Sequence, residues 1–269
     1  MFARRTGSVA LALAASVALV ACGSSSSSAA KPKSSTITTA SKATGGITVS
    51  AAASLTEAFG TVGKDFSAAN PGATVTFNFG SSGTLATQIQ QGAPADAFAS
   101  ADPSNVATVR QAGLVDGRAT VIAYNPLVIV TKPGNPKHVK TVADLATVGV
   151  VSLCGETAPC GKYAGQILTN AGVTIPTDSV TRGADVKATL AAVTTGDADA
   201  AIVYVSDAET AGQAVTAVAI PAAQNAIATY PIVVLKASSN PATARAFVRY
   251  VASRAGQATL RSYGFLLHP

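Results

Sequence analysis

Tryptophan is absent, aromatic residues make up only 5% of the 269 residues, and the chain has just two histidines and three cysteines. Each shortage excludes something. Binding nucleic acid without regard to sequence takes a basic face with stacking rings, and neither is visible. A catalytic thiol needs a base beside it, and zinc needs several ligands at suitable spacing. With His138 and His268 the only histidines, neither requirement is met. Charge is also sparse, at 12%, and the net value of +6 misleads. Arg4, Arg5, Lys31, Lys33 and Lys42 all precede Gly45, so the remainder holds 14 basic against 13 acidic residues. The net charge therefore says little about a partner.

A long apolar run is missing too. Residues 9–20 are apolar behind Arg4-Arg5, too short for an ordinary spanning helix but right for a signal peptide over residues 1–21. Leu19-Val20-Ala21-Cys22 resembles a bacterial lipobox, which predicts cleavage before Cys22 and lipidation of that residue. The Ser/Lys/Thr/Ala-rich stretch that follows reads as a flexible tether over residues 22–45. The expected place of work is extracytoplasmic, lipid-anchored to the cell membrane. That setting permits a Cys154–Cys160 disulfide. Its ring is too small to add the ~3 kcal/mol of a 15-residue loop, so its expected effect is to fix the shape of the loop.

What the chain does have is 48% hydrophobic residues, enough to pack one large domain or two lobes. Apolar runs near residues 47–49, 75–79, 96–99, 125–130, 148–153, 200–204 and 230–234 read as strands, and helical stretches separate most of them. Ser54-Leu55-Thr56-Glu57 fits a capping box opening a helix to about residue 69. Asp102-Pro103 reads as cap and first helical residue, and Ser206-Asp207 as a further cap. Continuous apolar strands alternating with helices predict an α/β fold with buried, largely parallel sheets.

In open α/β sheets, ligands bind beyond the carboxyl ends of the strands, where helices begin. The turns there are Ala53-Ser54, Gly80-Ser81-Ser82-Gly83-Thr84, Pro159-Cys160-Gly161, Asp185-Val186 and Tyr204-Val205-Ser206, with Lys162 the one adjacent cation. Such turns offer hydroxyls and free backbone N–H groups, and a helix start adds partial positive charge. A deprotonated tetrahedral oxyanion only accepts hydrogen bonds, so a shell of neutral donors suits it. Taken one at a time, Ser54, Ser82 and Asp185 also read as plain caps, and Tyr204 as a core ring. The nucleophile elbow of an α/β hydrolase fails, because Thr84 stands where its second glycine belongs. An organic-solute binder would want a charged anchor and an aromatic wall, which these turns lack.

Taken together, the turns resemble the periplasmic molybdate-binding proteins of bacterial ABC transporters. The resemblance runs through Ala51-Ala52-Ala53-Ser54-Leu55, Ser81-Ser82 with Thr84-Leu85, Gly92-Ala93-Pro94-Ala95-Asp96, Ser100-Ala101-Asp102, Pro159 with Gly161 and Tyr163, Asp185-Val186, Ile202-Val203-Tyr204, Tyr230-Pro231 and Tyr263-Gly264-Phe265. It covers residues 47–266, and the order and spacing are specific although no single motif is. The resemblance implies a two-lobed, type II periplasmic-binding-protein fold with two hinge crossings, near Tyr124-Asn125 and near residues 233–235. Lobe one is expected over residues 46–124 plus 236–269, and lobe two over 125–235. It implies that the oxyanion is held by the hydroxyls of Ser54, Ser82 and Tyr204 and by backbone N–H groups at Ser54, Ser82, Cys160 and Val186. It further implies molybdate, with tungstate, as ligand, no cofactor, no catalysis, a monomer, and a permease and its ATPase as partners. Sulfate or phosphate is the alternative ligand; phosphate carries a proton, so its site needs an acceptor such as Asp185 or Asp207. Cys160 stands where the family often has alanine, and Gly83 where some members have serine, which would widen the pocket or loosen the turn.

Overall fold

The computed structural model describes residues 43–269. The expected signal peptide, the lipidation at Cys22 and most of the tether lie outside the described residues. The last tether residues do not: Ala43 is buried, and the Thr44 N–H donates to Thr243 Oγ1 (3.2 Å). The folded part thus starts slightly before the expected boundary.

In chain order the elements are β1 (Gly45–Ala52), α1 (Thr56–Ala69), β2 (Ala73–Gly80), α2 (Ser82–Gln90), β3 (Ala97–Ala99), α3 (Pro103–Gln111), β4 (Val115–Thr131), β5 (Val151–Cys154), α4 (Pro159–Ala171), β6 (Val180–Gly183), α5 (Val186–Thr194), β7 (Ala200–Tyr204), α6 (Val205–Ala211), β8 (Thr216–Ala219), β9 (Ile227–Leu235), α7 (Pro241–Val251) and α8 (Arg254–Ser262). The fold is α/β, as expected. One nine-stranded sheet runs in the order β2-β1-β3-β9-β4-β7-β5-β6, with β8 beside β4.

The sheet is less parallel than expected. β1 pairs in parallel with β2 and β3, and β5 with β6 and β7, while every pairing of β4 and β9 is antiparallel. These two long strands join a parallel group at either end. The first part of β4 escaped the sequence reading because Val115-Asp116-Gly117-Arg118 does not alternate. Gly117 sits at φ 75°, where glycine is at ease, and the register with β9 shifts there. The C-terminal ends of β1, β2, β5 and β7 each lead directly or through a short turn into a helix start. The apolar core is built on both faces of the sheet, from residues such as Val49, Phe59, Phe247, Ile129, Leu153 and Ile202.

Two capping expectations fail. Ser54 belongs to a 3-10 turn, Ala53–Leu55, and no side chain caps either that turn or α1. Its Oγ instead lies 2.8 Å from the Tyr230 hydroxyl, a partner brought in by β9 from 176 residues away. Ser206 and Asp207 lie inside α6, whose cap position is Tyr204. Asp102 and Asp185 do cap, accepting from the N–H of Asn105 (2.8 Å) and Ala188 (3.0 Å).

Candidate functional site

The five residues read as ligand-binding come together. Ser54, Ser82, Cys160, Val186 and Tyr204 line one cavity with Ala52, Ala53, Gly80, Ser81, Ala101 and Asp185. All five are buried. The cavity is small, about 10 Å³, far below the ~300–1,000 Å³ usual for organic ligands and about the room of a single water.

Its walls are helix starts left open. An α-helix leaves its first N–H groups without internal partners, and side-chain caps normally satisfy some of them. No side chain caps the Ala53–Leu55 turn, α2 or α4. At α5 the Asp185 carboxylate takes only the Ala188 N–H, three positions in, which leaves the Val186 end open. Four helix starts therefore present donors and partial positive charge to one space.

Three hydroxyls complete the shell. Ser82 Oγ accepts from the Ala101 N–H (3.0 Å), which orients it and leaves its own proton to donate. Asn125 Nδ2 donates to Ser206 Oγ (2.7 Å) and lies 3.5 Å from the Tyr230 hydroxyl. Either hydroxyl of the Ser54–Tyr230 pair can donate, and when Tyr230 does, the Ser54 proton is free for the cavity. Tyr204 Oη is buried and has no hydrogen-bonding partner among the described residues. Burial, with the Tyr230 ring hydroxyl next in effect, raises the Tyr204 pKa well above the usual phenol value, so it remains a donor.

Cys154 and Cys160 are joined by a disulfide, Cα to Cα 5.7 Å. It ties the end of β5 to the first turn of α4 and closes the loop whose last residues form that open helix start. Gly161 is required beside it: a Cβ there would sit 2.1 Å from the Gly155 carbonyl oxygen. Gly83 lies outside the cavity wall, contrary to the expectation that it widens the pocket. A Cβ there would be 3.1 Å from the Thr157 carbonyl oxygen, so glycine lets α2 approach the loop before α4.

The charged neighbours differ from the sequence reading. Lys162 points to Asp102 and Ser104 and is not in the cavity wall. Lys187, which the sequence reading passed over although it follows Val186 directly, lies 2.7 Å from Glu57 Oε2 and 3.0 Å from Asp207 Oδ1. The approach to Asp207 is an ion pair without hydrogen-bond alignment, since neither Asp207 oxygen has a hydrogen-bonding partner. Burial pushes the Asp207 pKa up to about 6, with Lys187 opposing. Burial pulls the Lys187 pKa down, but Asp207 and Glu57 outweigh it and the net shift is upward. Among the described residues no cluster of His, Cys, Asp and Glu could hold a metal ion, and no helix is long and apolar enough to cross a membrane.

The comparisons with known proteins agree with this architecture. The family model for bacterial extracellular solute-binding proteins matches residues 47–266. The molybdate-binding protein ModA of Mycobacterium tuberculosis is 43% identical over 261 residues, covering 97% of this chain and 96% of that protein. Two solved structures share the fold at 22% identity. The periplasmic molybdate-binding protein of Azotobacter vinelandii superposes with a TM-score of 0.75 over 83% of this chain and 100% of its own. The sulfate-binding protein SubI of M. tuberculosis gives 0.74 over 83% and 88%. On the family match over residues 47–266 and the 43% identity to a relative covered almost end to end, this chain belongs to the family of bacterial extracellular solute-binding proteins.

Proposed function

We propose that this protein captures molybdate, and tungstate with it, outside the cell membrane and delivers the ion to an ABC importer. The observation that carries the reading is the Tyr204 hydroxyl, buried in the wall of a small cavity lined by helix starts, with no hydrogen-bonding partner among the described residues. A buried hydroxyl left without a hydrogen bond is costly, and a bound oxyanion removes that cost. The M. tuberculosis relative supplies the choice of molybdate. Ser54 and Ser82 on one side, and Cys160, Val186 and Tyr204 on the other, are the proposed binding residues. Cys22 is the proposed lipid anchor, and the importer's permease, with its ATPase, the proposed partner. The protein acts as a monomer.

The two-lobed organisation belongs to the same proposal. Residues 46–124 with 236–269 form one lobe and 125–235 the other, joined through β4 and β9. An ion that touches both lobes favours the closed arrangement by its extra contacts there. A protonated phosphate would need an acceptor: Asp207 is not in the wall, but Asp185 lines it and has only one oxygen engaged as a cap, so phosphate is the rival that the anion panel decides.

The test is calorimetry and thermal shift on residues 42–269, stripped of anion, with molybdate, tungstate, sulfate, phosphate and chromate. Ligand at 100 times its Kd adds about 2.7 kcal/mol, roughly a 5–10 °C rise in Tm for a chain of this size. A rise with molybdate and tungstate is expected. A rise with sulfate alone replaces the ligand, and no rise with any anion ends the oxyanion reading.

A further inference from the structure

The ion pairs around the cavity divide by where they reach. Lys162 follows Cys160 by two positions on α4, and its Nζ lies 3.0 Å from Asp102 Oδ2 and 2.9 Å from Ser104 Oγ. Lys187 follows Val186 on α5 and reaches Glu57 Oε2 at 2.7 Å. Both lysines stand in residues 125–235, and all three of these partners stand in 46–124. The other ion pairs among the described residues are Lys132–Asp199, Arg182–Glu156, Lys187–Asp207 and Arg245–Asp116, and each stays within one of the two proposed lobes. So the ion pairs that cross are these two, and both spring from helix starts that wall the cavity.

Glu57 lies in the first turn of α1, where a carboxylate suits the helix dipole, but it does not cap the helix. The capping box assigned to it does not form, and its carboxylate turns across to Lys187 instead. Lys187 is held on its own side by Asp207, which is fully buried. The ammonium thus has an ion-pair partner on its own side as well as Glu57 across from it. Lys162 is the more exposed lysine, at 42% of its side chain against 28%, and exposed pairs contribute less.

We infer that Lys187 with Glu57, and secondarily Lys162 with Asp102, are positioning residues for capture: clamps that form when the two lobes close and that set how long the anion stays. This rests on the two-lobed reading above. Contacts made only in the closed state slow release and leave first encounter unchanged. Neither lysine lines the cavity, so their effect reaches the ligand through closure and not through contact.

The test uses Glu57→Gln in the full chain, because it cuts the crossing contact and leaves Lys187 paired with Asp207. Stopped-flow tyrosine fluorescence with molybdate reads both rate constants. Release is expected to speed up about three- to tenfold, with association within about twofold and the ligand-free Tm unchanged. Lys162→Met should give a smaller acceleration. Unchanged release, or an equal loss of Tm with and without molybdate, overturns the clamp and marks the pair as a permanent staple. If the wild type binds no oxyanion, the functional reading has failed, and spin labels on the two lobes then decide the clamp alone. Glu57→Gln must lower the closed fraction of the ligand-free protein, and an equal fraction overturns it.

Discussion

The two walls of the cavity are held in different ways. On the side of residues 46–124 the hydroxyls are engaged: Ser54 with Tyr230, and Ser82 with the Ala101 N–H. On the side of residues 125–235, unmet groups collect. The buried side-chain atoms without a hydrogen-bonding partner among the described residues are Ser152 Oγ, Tyr204 Oη and both oxygens of Asp207, all from that side. Buried polar groups are normally satisfied: Ser82 is set in advance within its own side, and Ser54 is held by Tyr230 from the other side. Of the unmet groups only Tyr204 lies in the cavity wall, where a ligand can relieve its cost, while Asp207 lies outside the wall, where a proton can.

The largest effect expected from this contrast lies at Asp207. Its folded pKa is about 6 against an ordinary 3.8. Between those values the folded protein holds a proton that the unfolded chain has released, so the Asp207 contribution to stability declines as pH rises from about 4 to 6. Two units correspond to about 3 kcal/mol. Asp96 and Asp199 have lowered pKa values and push the other way, so the measurement is a difference. Denaturant unfolding of wild type and Asp207→Asn across pH 4–7 should diverge, with wild type losing stability relative to the variant as pH rises. Parallel curves would show that Asp207 is not strained.

Tyr204→Phe comes next. It should weaken molybdate binding by about 1–3 kcal/mol, the range for a hydrogen bond to a charged group. It should leave the ligand-free protein as stable as before or slightly more so, since the hydroxyl removed had no partner. Calorimetry and ligand-free denaturation together check this. A stability loss without an affinity loss would move Tyr204 from the binding wall into the core.

How much of this was legible in the sequence follows the same division. Open helix starts can be read because Gly/Ser turns, Asp caps and apolar strands are local features, and all five proposed binding residues fall on one cavity. Glu57 could not be read correctly. Its spacing from Ser54 matches a capping box, but Tyr230 on β9 and Lys187 on α5, 176 and 130 residues away, take the two side chains. Long-range partners override local pattern in the same way at β4, whose polar first part is a strand because β9 pairs with it. A cue for Lys187 was present: a lone cation directly after a helix-start donor.

Ser82→Ala sharpens the contrast from the first wall. This hydroxyl has two partners in prospect, the Ala101 N–H now and the anion later, so both readouts should move. Binding should weaken by about 1–3 kcal/mol, and the ligand-free protein should lose about 1 kcal/mol because a buried N–H loses its acceptor. A variant that loses affinity alone would show that Ala101 finds another partner and that this wall is less fixed than its hydrogen bonds indicate.

The smallest effect is expected at Asp185, and it has the opposite sign. The carboxylate caps α5 through the Ala188 N–H while lining the cavity, so it places a negative charge beside the ligand. Asparagine caps equally well. Asp185→Asn should therefore keep ligand-free stability and tighten molybdate binding by a few tenths of a kcal/mol to about 1 kcal/mol, more at low salt than at high. Weaker binding in the variant would mean that the carboxylate aims the α5 N–H groups more firmly than the amide can, and that orientation outweighs charge at this wall.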